Sequence, residues 1–150
     1  MSEERIDLKG VLDFIVGHED GFLATVENDK PHVRPMTVWL ADDTGIYFYT
    51  SRVKQLFGQL EQNPEVEVVF VHPSKGDTAP GSMVRLAGRV EFVDDPEIRG
   101  RLWQLNPWLL DAVGTPEEAK SIVVLRISRG RFNYWTWENN VNPAPWVDFP

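Results

Sequence analysis

Between residues 21 and 64, two alternating apolar runs, a third run ending in Tyr49-Thr50-Ser51 and an amphipathic segment ending at Asn63-Pro64 follow one another with almost nothing between them. Such crowding leaves room for tight turns but not for long crossovers, and this favours strands that pair antiparallel with their chain neighbours. Phe22, Ala24 and Val26 alternate with Leu23 and Thr25, and Asn28-Asp29-Lys30-Pro31 supplies turn chemistry for a hairpin. A second strand over residues 32–40 contains Pro35, which cannot donate a ladder hydrogen bond and so belongs at an edge or bulge. After the Asp42-Asp43-Thr44-Gly45 turn, Ile46-Tyr47-Phe48-Tyr49 reads as a third strand, completing a meander. Val53, Leu56, Phe57 and Leu60 then trace one face of a helix that Pro64 stops at Asn63.

The flanking segments fit the same plan. Leu8, Val11, Leu12 and Ile15 recur at helical spacing before Gly17. Residues 66–71 return to strand, and a polar loop over 74–82 leads to a long strand, 83–93, in which Gly88 marks a bend or close backbone approach. Asp95-Pro96 starts a helix carrying Ile98, Leu102 and Leu105, followed by a short helical piece at 108–113. Residues 122–127 form the last strong strand, with Ser128-Arg129-Gly130-Arg131 read as a turn into the aromatic segment Phe132-Asn133-Tyr134-Trp135-Thr136-Trp137. The Pro- and Asn-rich end reads as irregular. The expected class is mostly β (α+β): an antiparallel barrel of about six to seven strands with about three flanking helices, in one domain over residues 1–150.

Composition narrows the chemistry. The absence of cysteine removes disulfides, thiolate nucleophiles and sulfur-based zinc sites. His18, His32 and His72 are too scattered to define a metal set, so no metal is expected. A formal charge of −8 without a basic face argues against nucleic acid. No apolar run is long enough for a membrane helix and no basic-then-apolar leader is visible, so a cytoplasmic protein is expected. No GxSxG turn, glycine-rich nucleotide loop or evident acid–base pair is present, so no catalytic residue is assigned and any redox chemistry would come from a bound cofactor. Against this acidic background Arg34, Arg52 and Lys54 lie close together, which suits a small anionic ligand.

The ordered words Leu23-Ala24-Thr25-Val26, Pro31-His32-Val33-Arg34-Pro35-Met36, Tyr47-Phe48-Tyr49-Thr50-Ser51, Lys54, Gln59-Leu60 and Asn63-Pro64, extended by Val84-Arg85-Leu86-Ala87-Gly88-Arg89-Val90, span nearly the whole domain. In that order they resemble the pyridoxamine 5'-phosphate oxidase-like split barrels, and are most similar to the nitroimidazole-resistance and general-stress subgroup. The resemblance implies a homodimer with flavin mononucleotide (FMN) at its interface. Arg34, Thr50, Ser51, Arg52 and Lys54 would hold the phosphate, aided by the N-terminal amides of the following helix. Pro35, Met36, Thr37, Val38 and Tyr49 would line the cofactor, and Trp135 or Trp137 would close over it from the other subunit. It also implies transfer of electrons or hydride between NADH or NADPH and a small acceptor. Related split barrels use a deazaflavin coenzyme or haem, and a non-catalytic flavin sensor or storage dimer is the alternative outside redox catalysis. One departure argues against oxidation of the vitamin itself. The oxidases proper carry Ser-Arg-Lys at the helix start, where this chain has Lys54-Gln55-Leu56.

Overall fold

Asn28 and Asp29 set the first pairing. Both adopt left-handed backbone (φ 52° and 61°), the conformation a two-residue hairpin turn requires and one that Asn and Asp tolerate better than other side chains. They join β1 (Asp20–Glu27) to β2 (Lys30–Thr37), with Glu27 opposite Lys30 and Phe22 opposite Pro35. The computed structural model describes residues 6–76 and 79–149, so the expected polar loop at 74–82 lies partly outside the described residues.

The remaining elements are α1 (Leu8–Gly17), β3 (Leu40–Asp42), β4 (Gly45–Ser51), α2 (Gln55–Gln62), β5 (Glu65–His72), β6 (Ser82–Val93), α3 (Pro96–Leu105), α4 (Pro107–Val113), α5 (Pro116–Ser121), β7 (Ile122–Thr136) and β8 (Val147–Phe149). All strand pairs are antiparallel, in the order β2-β1-β5-β6-β7-β4-β3, with β8 added to β7. The expected meander is therefore corrected: β2 and β3 lie at opposite edges of the sheet, and β4 pairs with β7. Only Val38 and Trp39 separate them. Three Cα steps span at most ~11 Å, so the two edges must approach each other and the sheet must curl. The result is an antiparallel split barrel, as the sequence pattern implies.

The barrel interior holds Leu23, Phe48, Val68, Phe70, Val84, Leu86, Leu125 and Ile127, each fully buried. Val11 and Ile15 of α1 and Leu56 and Leu60 of α2 join the same core. Each such aliphatic side chain contributes roughly 1.5–3 kcal/mol on burial. Asp7 caps α1 by accepting the Gly10 amide at 2.8 Å, and Asp95 caps α3 by accepting the Glu97 amide at 2.9 Å. Helices α3 and α4 build a second cluster, Leu102 and Leu109 packing on Tyr47, Ile122 and Val124.

Three expectations change in detail. Val53 lies ahead of α2 and is exposed, because the helix begins only after Lys54. Among the described residues five helices form rather than three, the fifth starting from a capping box in which Thr115 and Glu118 satisfy each other's amides. The expected turn at residues 128–131 is instead the middle of β7. There β6 and β7 cross with a register shift between Gly88 and Val90. Gly88 and Gly130 face each other so closely that a Cβ on Gly88 would sit 2.6 Å from the Arg129 carbonyl, and one on Gly130 would collide with that of Ala87.

Replacing Gly130 with Ala is expected to lower stability by about 2 kcal/mol or more in chemical denaturation. Gly58→Ala is expected to raise it by roughly 0.5–1 kcal/mol, because Gly58 lies inside α2 with nothing within 4 Å of the added methyl.

Candidate functional site

Strand β3 pairs only with Gly45, Ile46 and Tyr47 of β4. Beyond Tyr47 the free side of β4 faces β2 across the split, and α2 starts there. These three elements enclose a cleft of about 420 Å³ lined by Arg34, Pro35 and Met36 of β2, Tyr49 and Thr50 of β4, and Lys54, Gln55 and Leu56 at the start of α2. Six of the twelve residues singled out from the sequence thus meet in one place.

Arg34 shares the inward face of the sheet with Leu23, its partner across β1 and β2. Its Nη1 donates to Thr25 Oγ1 at 2.8 Å and to the Leu23 carbonyl at 3.3 Å, and its Nη2 donates to Gln59 Oε1. No carboxylate pairs with it among the described residues. Burial holds this guanidinium below its ordinary value and pushes the Tyr49 phenol above its own. Lys54 occupies the N-cap of α2 and makes no ion pair among the described residues; no side chain caps the helix there. The start of α2 therefore offers amides, a helix-dipole positive end and an ammonium to the same cleft. Thr50 is buried on the cleft wall. Chemically this arrangement suits an anion: two cations without carboxylate partners among the described residues, a hydroxyl residue and helix amides.

The other residues singled out lie elsewhere. The Ser51 hydroxyl meets that of Ser121 at 3.0 Å, and the Arg52 guanidinium stacks over Phe57 at 5.2 Å. Thr37 donates to Asp20 at 2.7 Å, and Val38 is in the core. Trp135 donates to Asn140 at 3.1 Å and lines a separate cleft with Trp137. His18 and His72, read as too scattered for a metal set, are hydrogen-bonded at 2.9 Å; a separation of 54 residues hides that contact from any sequence pattern. Among the described residues no group of three or more His, Cys, Asp or Glu could hold a metal. A larger cavity of about 620 Å³ lies between Asp7, Phe132, Tyr134 and Pro145, and no Lys or Arg lines it.

Two residues at the site, Thr25 and Gln59, which are 1% and 2% exposed, entered the sequence reading only as parts of motif words and not as site residues. Their signal was present: Gln59 interrupts the apolar stripe of α2 between Leu56 and Leu60, and Thr25 shares a face with Leu23.

The fold and site together define a split-barrel protein with a cleft in its open seam lined by Arg34, Thr50 and Lys54. The family model described as pyridoxamine 5'-phosphate oxidase matches residues 9–134, so the chain belongs to that family. It is 32% identical over 110 residues to general stress protein 26 of Bacillus subtilis (strain 168), covering 72% of this chain and 76% of that protein. Among solved structures, it is similar to a NimC/NimA family protein from Clostridium acetobutylicum (24% identity, TM-score 0.73, 95% and 90% of the two chains). A FAD-binding protein from Mesorhizobium loti is also similar (21% identity, TM-score 0.62, 81% and 87%). At these identities the two structures show the fold alone. No helix among the described residues is long and apolar enough to cross a membrane.

Arg34→Met is expected to cost about 1–3 kcal/mol in thermal or chemical denaturation, because it strips donors from buried Gln59 and Thr25. Lys54→Met should change stability by no more than about 0.5 kcal/mol, as expected of a cation without a structural partner.

Proposed function

We propose that the chain is a single FMN-binding split-barrel domain acting as a cytoplasmic, homodimeric oxidoreductase. The observation that carries this reading is the meeting of Arg34, Thr50, Lys54 and the first turn of α2 in one cleft, a donor set matched to a phosphate monoester. Family membership supports a flavin as the molecule bearing that phosphate. Arg34 and Lys54 would hold the phosphate, while Pro35, Met36 and Tyr49 would offer apolar and aromatic surface to the rest of the cofactor. When bound, the flavin would supply the redox chemistry, between NADH or NADPH and a small acceptor.

A second copy is suggested by the outer sheet face. Phe22, Val33 and Val71 are 47%, 69% and 41% exposed on neighbouring strands, and with Val69 and Met83 they form a surface that is apolar apart from the Glu67–Arg85 ion pair. Pro35 belongs to both this face and the cleft, so a partner seated on the face would also wall the site, with its Trp135 available to close over the ring. One feature favours the non-catalytic reading, a flavin sensor or storage dimer: the cleft lining contains neither histidine nor carboxylate to act as acid or base.

Freshly purified protein should be yellow, release FMN on denaturation and sediment as a dimer. Lys54→Met should weaken FMN binding by roughly tenfold, the worth of one charge-assisted bond. Colourless protein that FMN cannot reconstitute overturns the assignment, and a haem or deazaflavin spectrum replaces it. Holoprotein that neither NADH nor NADPH reduces would favour the sensor or storage reading.

A further inference from the structure

We infer that Gln59 is a positioning residue that holds the Arg34 guanidinium through uncharged oxygens, so that its positive charge stays available to a phosphate-bearing ligand in the split. The inference rests on the reading of the cleft as an anion site.

Gln59 lies on the stripe of α2 that buries Leu56 and Leu60, and is itself 2% exposed. A buried amide there is costly unless bonded. Its Oε1 accepts twice, from Arg34 Nη2 and from Thr25 Oγ1 at 2.8 Å. Thr25 Oγ1 accepts in turn from Arg34 Nη1 at 2.8 Å, and the Leu23 carbonyl from the same nitrogen at 3.3 Å. The guanidinium is thus oriented by three oxygens, none of them charged.

The contrast lies within the same barrel. Arg85, Arg89 and Arg126 each pair with a glutamate, at 2.7, 3.1 and 2.9 Å. A glutamate at position 59 has nearly the same shape as glutamine, could accept the same two bonds, and would make a stronger charge-assisted pair with Arg34. Packing and hydrogen bonding alone therefore give no reason to prefer the amide. What a carboxylate would remove is the net positive charge facing the cleft, in a chain whose formal charge is −8. Burial already disfavours the uncompensated guanidinium, and a bound anion would relieve that.

The test compares binding of FMN with that of riboflavin, which lacks the phosphate. Gln59→Glu should lower the FMN-to-riboflavin affinity ratio by about tenfold and leave riboflavin binding unchanged. Thr25→Val, which removes one anchor of Arg34 without adding charge, should lower the ratio by about threefold, and it carries the test if Gln59→Glu does not fold. Equal weakening of both flavins shows a merely structural role, and an unchanged ratio in the variants that fold shows none; either overturns the inference. If the wild type takes neither flavin, the FMN reading of the cleft falls, and inorganic phosphate becomes the probe. It should raise the melting temperature of the wild type but not of Gln59→Glu, or of Thr25→Val to a smaller extent if Gln59→Glu does not fold. An equal rise in wild type and variant, or no rise in the wild type, overturns the inference.

Discussion

Two residues, Val38 and Trp39, tether strands that belong to opposite edges of one sheet, and the architecture follows from that tether. A flat sheet cannot satisfy so short a link, so the sheet closes upon itself. Closure is incomplete because β3 is only three residues long and leaves the end of β4 without a partner on that side. Trp39 stitches the junction, its amide donating to the Tyr47 carbonyl at 3.1 Å and its indole to the Phe48 carbonyl at 3.0 Å. Beyond Phe48 the seam stays open, and the start of α2 faces into it. The pocket is the part of the barrel wall that the short strand could not reach.

Electrostatics then separates two kinds of arginine. Arg85, Arg89 and Arg126, on the central strands β6 and β7, are paired with glutamates. Arg34 is drawn inward by an amide, a hydroxyl and a carbonyl. Uncharged acceptors satisfy the geometry of a guanidinium but leave its charge uncompensated, and in a partly buried cleft that charge acts with less screening than at the surface. The cleft therefore carries a local positive charge even though the chain as a whole is acidic.

Much of the fold was legible. The Asn28-Asp29 turn, the caps at Asp95 and before Pro64, and the inward stripes of α1 and α2 are local chemistry that the residues declare. The convergence of Arg34, Thr50 and Lys54 was also legible, through the order of motifs. Pairing at long range was not. Residues 128–131 look like a turn by composition, yet Gly130 serves to let two strands pass at close quarters, a need visible only once Gly88 lies opposite. Alternation told which side chains share a face without telling which face is inside: Leu23 and Thr25 point inward, while the more apolar set of Phe22, Ala24 and Val26 points outward. Gln59 was passed over because helical periodicity ranks residues by hydrophobicity, and a buried amide counts against such a stripe rather than toward a site.

Strand β2 ends the sheet on one side and carries Pro31 and Pro35 within eight residues. Each proline removes a main-chain donor, so the rim of the barrel is a poor template for a further strand from another molecule. Rim-to-rim stacking, which could propagate without end, is thereby disfavoured on this side of the sheet, while the apolar face beside it has no such protection.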